Sequence, residues 1–532
     1  VSALTVEGVA VSATTRTTIG DSAVGVRRRA KSGVMRSHKL GDVRTGQIHT
    51  DFMSGDEATI LRAILASPGP VLHGGTLLGA DAYFHVSGVQ QQPLGADLWV
   101  LSWRIEETGF TPSPLLFSFD ADAPGAAYTF TRSGIVGPYT DENGLLQNEA
   151  TPNVFRTDWQ YGGRPALLLE PATTNELLRS EQLDNAAWTK SACSVLAGQS
   201  FGPDGLSGLD RIIEDGTSAQ HFVSQSVTGM TADAVHALSG FSTPGTRTWV
   251  RLVMQNGANN VEAWFDVATG VVGTTQDGGT GTFVRAYVED WGGGLYRCVL
   301  VGSVGNGATT VTASARLATG DGVGTYAGDG TSALQAGYLQ LEDNKQFATS
   351  YVATVTATAT RAVEKMTAPP GFTVADIRAA GGATFYQEWV ERGTAWVAGS
   401  STRYWQVGDD VRLLLFSGTA GDGTIDGSLT QDGGGSAQSS PSAVVPIGSP
   451  AEARLVLYLD DDDDWKVQCG VSVDGAAEVL GSVATFGATL PEFDEDLMTF
   501  AANHDANVHA PVGLRAIKGV PGNRSLAEMG AW

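Results

Sequence analysis

The chain is short of cysteine, of basic charge and of long apolar runs, and each shortage excludes something. Its three cysteines, Cys193, Cys298 and Cys469, stand more than a hundred positions apart with no Cys-x-x-Cys spacing. They make neither a disulfide framework nor a zinc ribbon, and Cys298, in the alternating run Leu295-Tyr296-Arg297-Cys298-Val299-Leu300, reads as a small buried hydrophobe. No apolar run reaches the roughly 18 residues of a membrane span, so no membrane insertion is expected. Val1 to Ala13 has no charged segment leading into an apolar block and reads as a strand rather than a signal peptide. The eight histidines are scattered, and no His-Glu-x-x-His pattern, Gly-x-Ser-x-Gly elbow or phosphate-cradling Gly-rich Lys-Ser/Thr loop occurs. Catalysis is therefore not expected. The one pair of carboxylates at strand spacing, Glu262 and Asp266, keeps a polysaccharide depolymerase as an alternative, because glycoside hydrolysis needs two positioned acids.

Against 33 Lys and Arg stand 57 Asp and Glu, a net charge of -24. Such a surface repels phosphate backbones and excludes nucleic acid as the main ligand. From Met366 onward there are 22 acids and 9 bases, hence 13 net negative charges, which solvation explains most simply. Basic residues concentrate only near the start, at Arg27, Arg28, Arg29, Lys31, Arg36, His38, Lys39 and Arg44. No aromatic side chains for base stacking are interleaved, so this patch reads as a docking surface for an acidic partner protein.

What is present is glycine, 68 residues, with only 17% charged residues. Tight turns and few amphipathic helices follow, and 532 residues exceed the size of one core, so the expectation is mainly β, several β-sandwich domains in tandem with few short helices. Residues 1–110 carry one helix signal: Ser54 and Glu57 form a capping box, Ala58, Leu61, Ile64 and Leu65 share a face, and Ser67-Pro68-Gly69-Pro70 stops it. Strands are expected around it at 47–52, 82–89 and 97–105. Residues 111–165 are turn-rich and read as a connector. From 166 to 365 short strands recur between glycine and asparagine turns, the pattern of a sandwich, with a hairpin turning at Asn256-Gly257-Ala258-Asn259-Asn260. After Ala368-Pro369-Pro370-Gly371, a plausible boundary, strands resume in residues 366–532, with a turn at Asp474-Gly475. The Gly-, Ser- and Asp-rich stretch 418–442 reads as exposed loops.

Several of these segments resemble known phage modules. The Arg-Arg-Arg-Ala-Lys-Ser-Gly run, the capped helix and the strand Leu98–Glu106 resemble the sandwich of tail-adaptor proteins of long-tailed phages, which implies particle attachment. The order Tyr128-Thr129-Phe130-Thr131-Arg132, Tyr139-Thr140-Asp141-Glu142-Asn143-Gly144-Leu145-Leu146, Pro152-Asn153-Val154-Phe155-Arg156 and Leu167-Leu168-Leu169-Glu170-Pro171-Ala172-Thr173-Thr174-Asn175 looks like a stereotyped unit of phage fibre proteins. The following segment, with Arg179–Trp188, Phe265–Gly273, Trp291–Cys298 and the stretch Thr325–Val352, resembles a carbohydrate-binding-type jelly roll. Gly513–Ile517 followed by Asn523–Met529 looks like the last strand and short helix of a concanavalin- or laminin-G-like sandwich.

These resemblances imply a virion structural protein of a tailed phage, a tail fibre or tail-tip adhesin, with a head fibre or capsid decoration as the alternative. Its partners would be other virion proteins and host cell-surface polysaccharide. It would be assembled in the host cytoplasm, exposed on the particle and homo-oligomeric.

Sugar binding needs an aromatic face and hydrogen-bonding groups, which makes Trp249, Trp291, Trp389, Trp396 and Trp405 the glycan candidates. Trp188 and Trp264 read as structural. Calcium is frequent in concanavalin-like folds and takes hard oxygen ligands, so Asp460, Asp462 and Asp464 are its candidate ligands. The closing stretch Thr325–Val352 is expected to supply no ligand group.

Overall fold

The computed structural model describes residues 129–160, 165–368, 382–391, 403–407, 411–417, 424–431, 436–446, 449–459, 464–487, 498–500 and 512–521, together with ten strands between Leu4 and Ser118. It divides the chain into two compact units, Val1–Pro114 with Val520–Trp532, and Leu115–Gly519. Among the described residues every regular element is a strand.

The first unit contains a nine-stranded antiparallel sheet. Its longest hairpin joins Ala82–Gly95 to Leu98–Glu107, close to the strands expected at 82–89 and 97–105. Arg27 and Arg28 form a two-residue strand paired with Thr17 and Thr18. Arg36 lies in the strand Val34–Leu40, opposite Gln47. Arg29, Lys31 and the helix signal at 54–65 fall outside the described residues.

In the second unit, two six-stranded sheets form the jelly roll. One runs in the order Thr189–Ser191, Phe222–Thr228, Thr310–Ala318, Trp249–Asn256, Asn259–Asp266, Val271–Gly278. The other runs Cys193–Ser200, Leu209–Glu214, Ala333–Glu342, His236–Thr243, Tyr296–Ser303, Thr282–Asp290. Alternating apolar side chains from both sheets, such as Val250, Leu252, Phe265, Leu300, Leu334 and Leu341, meet in one core, each worth about 1.5–3 kcal/mol of burial. The expected hairpin is present, with Asn256 opposite Asn259. Cys298 is buried in this core, and burial raises its thiol pKa far above the usual range. Trp188 and Trp264 are likewise buried, their indole N–H groups donating to Arg179 O at 3.0 Å and Val323 O at 3.2 Å.

A second sandwich encloses the jelly roll in sequence. One of its sheets contains Arg156–Asp158, Ala166–Leu169, Val512–Pro521, Gly382–Glu391, Pro450–Leu459 and Trp465–Val473. The other contains Thr129–Thr131, Lys365–Ala368, Met498–Phe500, Arg403–Val407, Val411–Ser417, Ile425–Gln431 and Ser436–Ser439. Residues 111–165 are therefore not a simple connector: they supply strands to both sheets, and Leu167 and Leu169 belong to this sandwich's core rather than the jelly roll's. The segment reads as a linker because the partners of Leu116–Ser118 and Thr129–Thr131, Ala516 to Lys518 and Lys365 to Thr367, lie hundreds of residues away.

The stretch 418–442 also differs from its reading as loops. Its described residues include the paired strands Ile425–Gln431 and Ser436–Ser439, with Ile425 and Leu429 fully buried. Its glycine is a packing requirement, since a Cβ on Gly427 would overlap Leu455 and crowd Cys469.

Candidate functional site: a cleft beside the jelly roll

The hairpin Pro138–Thr140 with Leu146–Asn148 is closed by Asp141, whose Oδ1 accepts from the N–H groups of Asn143 and Leu145, both at 2.9 Å. It is docked by a buried polar network. Arg156, fully buried, donates from Nε to Glu364 at 2.7 Å and from Nη2 to Glu170 at 2.9 Å. A further Nη2 bond reaches Glu364, and Nη1 donates to the hairpin's Pro138 carbonyl. Arg361 donates to Glu170, and Arg132 Nε lies 3.6 Å from Glu364. Glu170 also accepts from the Ser350 N–H at 2.8 Å. Asn175 Nδ2 donates to Leu339 O at 3.1 Å and Val352 O at 2.8 Å. The four pieces of the fibre-like unit and the closing stretch are thus held together by their own polar residues.

Between this hairpin and the jelly roll lies a cleft of about 370 Å³, lined by Gln147, Asn148, Glu181, Asp204, Tyr338 and Tyr351, with Val136, Pro138, Leu146 and Ala353 as its apolar part. Each polar group is held in place locally. The turn that carries Glu181 is fixed by Asp210, whose carboxylate accepts from Leu183 N at 2.6 Å and Asp184 N at 3.2 Å. Asp204 sits on the loop 201–208, which pairs with the hairpin through Leu146 N to Pro203 O at 2.8 Å.

Tyr338 is the strained element. It occupies a bulge in Ala333–Glu342, where the pairing with His236–Thr243 shifts register, and its φ is +51°. For a bulky residue such a conformation costs about 1–3 kcal/mol. The ring lies beneath Gly202 and Gly208, where a Cβ would overlap it. Its hydroxyl donates to Asp204 Oδ1 at 2.8 Å. Tyr351 packs against it edge to face, with centroids 5.2 Å apart, and its hydroxyl lies 3.1 Å from Glu181 Oε1 as donor and 2.6 Å from Ser180 Oγ. The rings are 1% and 2% exposed, so they form the floor of the cleft and orient its carboxylates. Burial, and secondarily Asp204, raise the Glu181 pKa above the ordinary carboxylate range despite the Tyr351 bond. Burial also raises both phenols.

The sequence-selected tryptophans are distributed differently. Trp291 is half-buried behind the cleft, edge-on to Phe241 at 5.0 Å, in the same aromatic cluster as Tyr338 and Tyr351. Trp249 is half-buried at the start of its strand, its ring beside Gly273. Trp389 is a correction: it is fully buried in the second sandwich, tilted against Tyr404 with ring centroids 5.1 Å apart, and its Nε1 donates to Glu391 at 3.2 Å. Strand alternation turned it inward, so it offers no face to a sugar. Trp396 and the side chain of Trp405 lie outside the described residues, as do Asp460 and Asp462. Asp464 is 3.8 Å from Lys466 Nζ, and among the described residues no group of three His, Cys, Asp or Glu could hold a metal.

Glu262 and Asp266 are both engaged in the fold. Glu262 is buried and ion-paired with Arg251, which itself lies 4.6 Å above the Trp264 ring. Asp266 accepts from Ala268 N at 3.0 Å and Thr269 Oγ1 at 2.8 Å in a turn.

Sequence reasoning missed Glu181, Asp204, Tyr338 and Tyr351. Glu181 lies within the Arg179–Trp188 motif and both tyrosines within the closing stretch, where they line the cleft. The detectable signal was Gly202-Pro203-Asp204-Gly205 with Gly208, a glycine-flanked acid typical of a loop approached closely by another group.

No family model matches the chain, and no curated protein matches it. Among solved structures, domains LG4-5 of the mouse laminin alpha1 chain align at 11% identity over 62% of this chain and 90% of that one, with a TM-score of 0.18. The tail fiber protein gp63.1 from an E. coli phage aligns at 8% identity over 67% and 42%, with a TM-score of 0.18. A GH43 glycoside hydrolase engineered to display both endo-xylanase and exo-arabinofuranosidase activity aligns at 10% over 91% and 97%, with a TM-score of 0.16. Likenesses this distant carry no argument about function. What the strands themselves establish is a mainly-β protein of several antiparallel sheets.

Proposed function

We propose that the chain is a virion structural protein of a tailed phage, a tail fibre or tail-tip adhesin, and that it contacts host surface glycan through the cleft between the Pro138–Asn148 hairpin and the jelly roll. The observation that carries the glycan reading is the cleft itself: a concave site with convergent carboxylates and amides, apolar walls and a bulged tyrosine beneath it. The phage setting rests on the sequence resemblance of the fibre-like unit, whose pieces meet at this place. Attachment to the particle is assigned to the first unit, with its basic cluster Arg27 to Arg44.

Ala353 supplies the test, because it is exposed and lines the cleft. Ala353→Trp fills the cleft without disturbing a core. The whole chain should bind host cells or envelope polysaccharide, and A353W should not. Equal binding by both would remove the cleft from the account, and absence of binding by the wild type would leave only a structural role.

One observation favours a hydrolytic second reading. Burial raises the Glu181 pKa and a second carboxyl group, Asp204, lines the same cleft, the pairing from which a general acid is built. Release of reducing ends from host polysaccharide, lost in Glu181→Gln, would establish it.

A further inference from the structure

We infer that the cleft is built for an amino sugar, with the sugar's ammonium held between the carboxylates of Glu181 and Asp204. This rests on the glycan reading above and adds to it the charge class of the ligand.

Polar inventory is the first argument. Tyr351 and Tyr338 each engage one oxygen of a carboxylate, Glu181 Oε1 and Asp204 Oδ1, and Asp204 Oδ1 also accepts from Leu206 N at 3.0 Å. Among the described residues, Glu181 Oε2 and Asp204 Oδ2 have no hydrogen-bond donor. Gln147 commits its amide nitrogen to Asp141 at 3.2 Å, leaving its oxygen as an acceptor. Asn148 is engaged from both ends, accepting from Gly137 N at 2.7 Å and donating to Ile135 O at 3.1 Å. The groups left for a ligand are thus mainly acceptors, and an ammonium carries three donors and no acceptor.

Charge is the second argument. Among the described residues, no lysine or arginine lines the cleft. Glu181 therefore lacks the counter-charge that Glu170, Glu262 and Glu364 all have. A cationic ligand supplies it, whereas a uronic or sialic acid adds a third negative group in a partly desolvated site.

A bare cation needs no apolar wall, yet Val136, Pro138 and Leu146 line the cleft beside the two carboxylates. These apolar groups suit the C–H face of a pyranose.

The test is calorimetry on the whole chain with four probes: a glucosamine trimer, its fully N-acetylated counterpart, a galacturonic acid trimer and tri-lysine, at a pH where the sugar amine is charged. The glucosamine trimer should bind about tenfold or more tighter than the acetylated one, the difference between a charge-assisted and a neutral hydrogen bond. Glu181→Gln and Asp204→Asn, checked for an intact melting transition, should each reduce that preference, and A353W should abolish binding. Equal or tighter binding of the acetylated or uronic probe overturns the inference, and so does equal binding of tri-lysine. If no probe binds while A353W still blocks attachment to host glycan, the glycan reading stands and the amino-sugar inference falls. If A353W leaves attachment intact, both fall.

Discussion

Replacing Glu364 by glutamine should loosen the wall of the cleft. The carboxylate is fully buried, accepts two hydrogen bonds from Arg156 and one from the Glu170 N–H at 3.1 Å, and faces Arg132. In direct contact the network holds three guanidinium groups, Arg132, Arg156 and Arg361, and two carboxylates, Glu170 and Glu364. Glu364→Gln leaves Arg156 sharing Glu170 with Arg361 and removes the carboxylate in direct contact with Arg132. Breaking a buried pair on one side costs about 3–5 kcal/mol, and with side chains 0–1% exposed, solvent screening does not reduce it. At a urea m-value of about 3 kcal/mol/M, the unfolding midpoint should fall by about 1 M or more. Because Arg156 also holds the Pro138 carbonyl, proteolysis between Pro138 and Asn148 should accelerate in the same variant. An unchanged midpoint, or a lower midpoint with the hairpin still protected, would refute the role given to the network.

Glu181→Gln should raise the melting temperature at neutral pH. Burial raises this carboxyl's pKa in the folded chain, so the folded state binds more protons than the unfolded one, and stability is lost as pH rises through the raised value. Variant and wild type should converge below the ordinary glutamate range and separate above it, and parallel curves would contradict the shift. Gly427→Val should destabilise by about 1–3 kcal/mol or more through overpacking against Leu455 and Cys469, read by chemical denaturation. Gly202→Ala should displace Tyr338 and weaken glycan binding more than it lowers the melting temperature. Glu262→Gln should lower stability by leaving Arg251 unpaired, with no effect on any reducing-end release.

Strand content was legible because it rests on local signals. Alternation at 296–301, alternation at 311–317 and the turn Gly257-Ala258 are each complete within a few residues, and the structure places strands and a hairpin there. Nesting of the jelly roll within the second sandwich was not legible, since Leu167 pairs with Leu514 across more than three hundred residues and neither strand advertises the other. The site was hidden for a related reason. Aromatic abundance pointed to Trp389, but exposure depends on which face of a sheet is covered. Tyr338 reaches the cleft only because a bulge reverses the local alternation, which no two-residue period predicts.

The cleft at Glu181, Asp204 and Ala353 is where we propose that this chain holds a glycan. A glycan array probed in parallel with the whole wild-type chain and with Ala353→Trp tests it most directly. Wild-type signal is expected on a narrow set of glycans and its loss in the variant at an unchanged melting temperature. Matching signals from both proteins would contradict it.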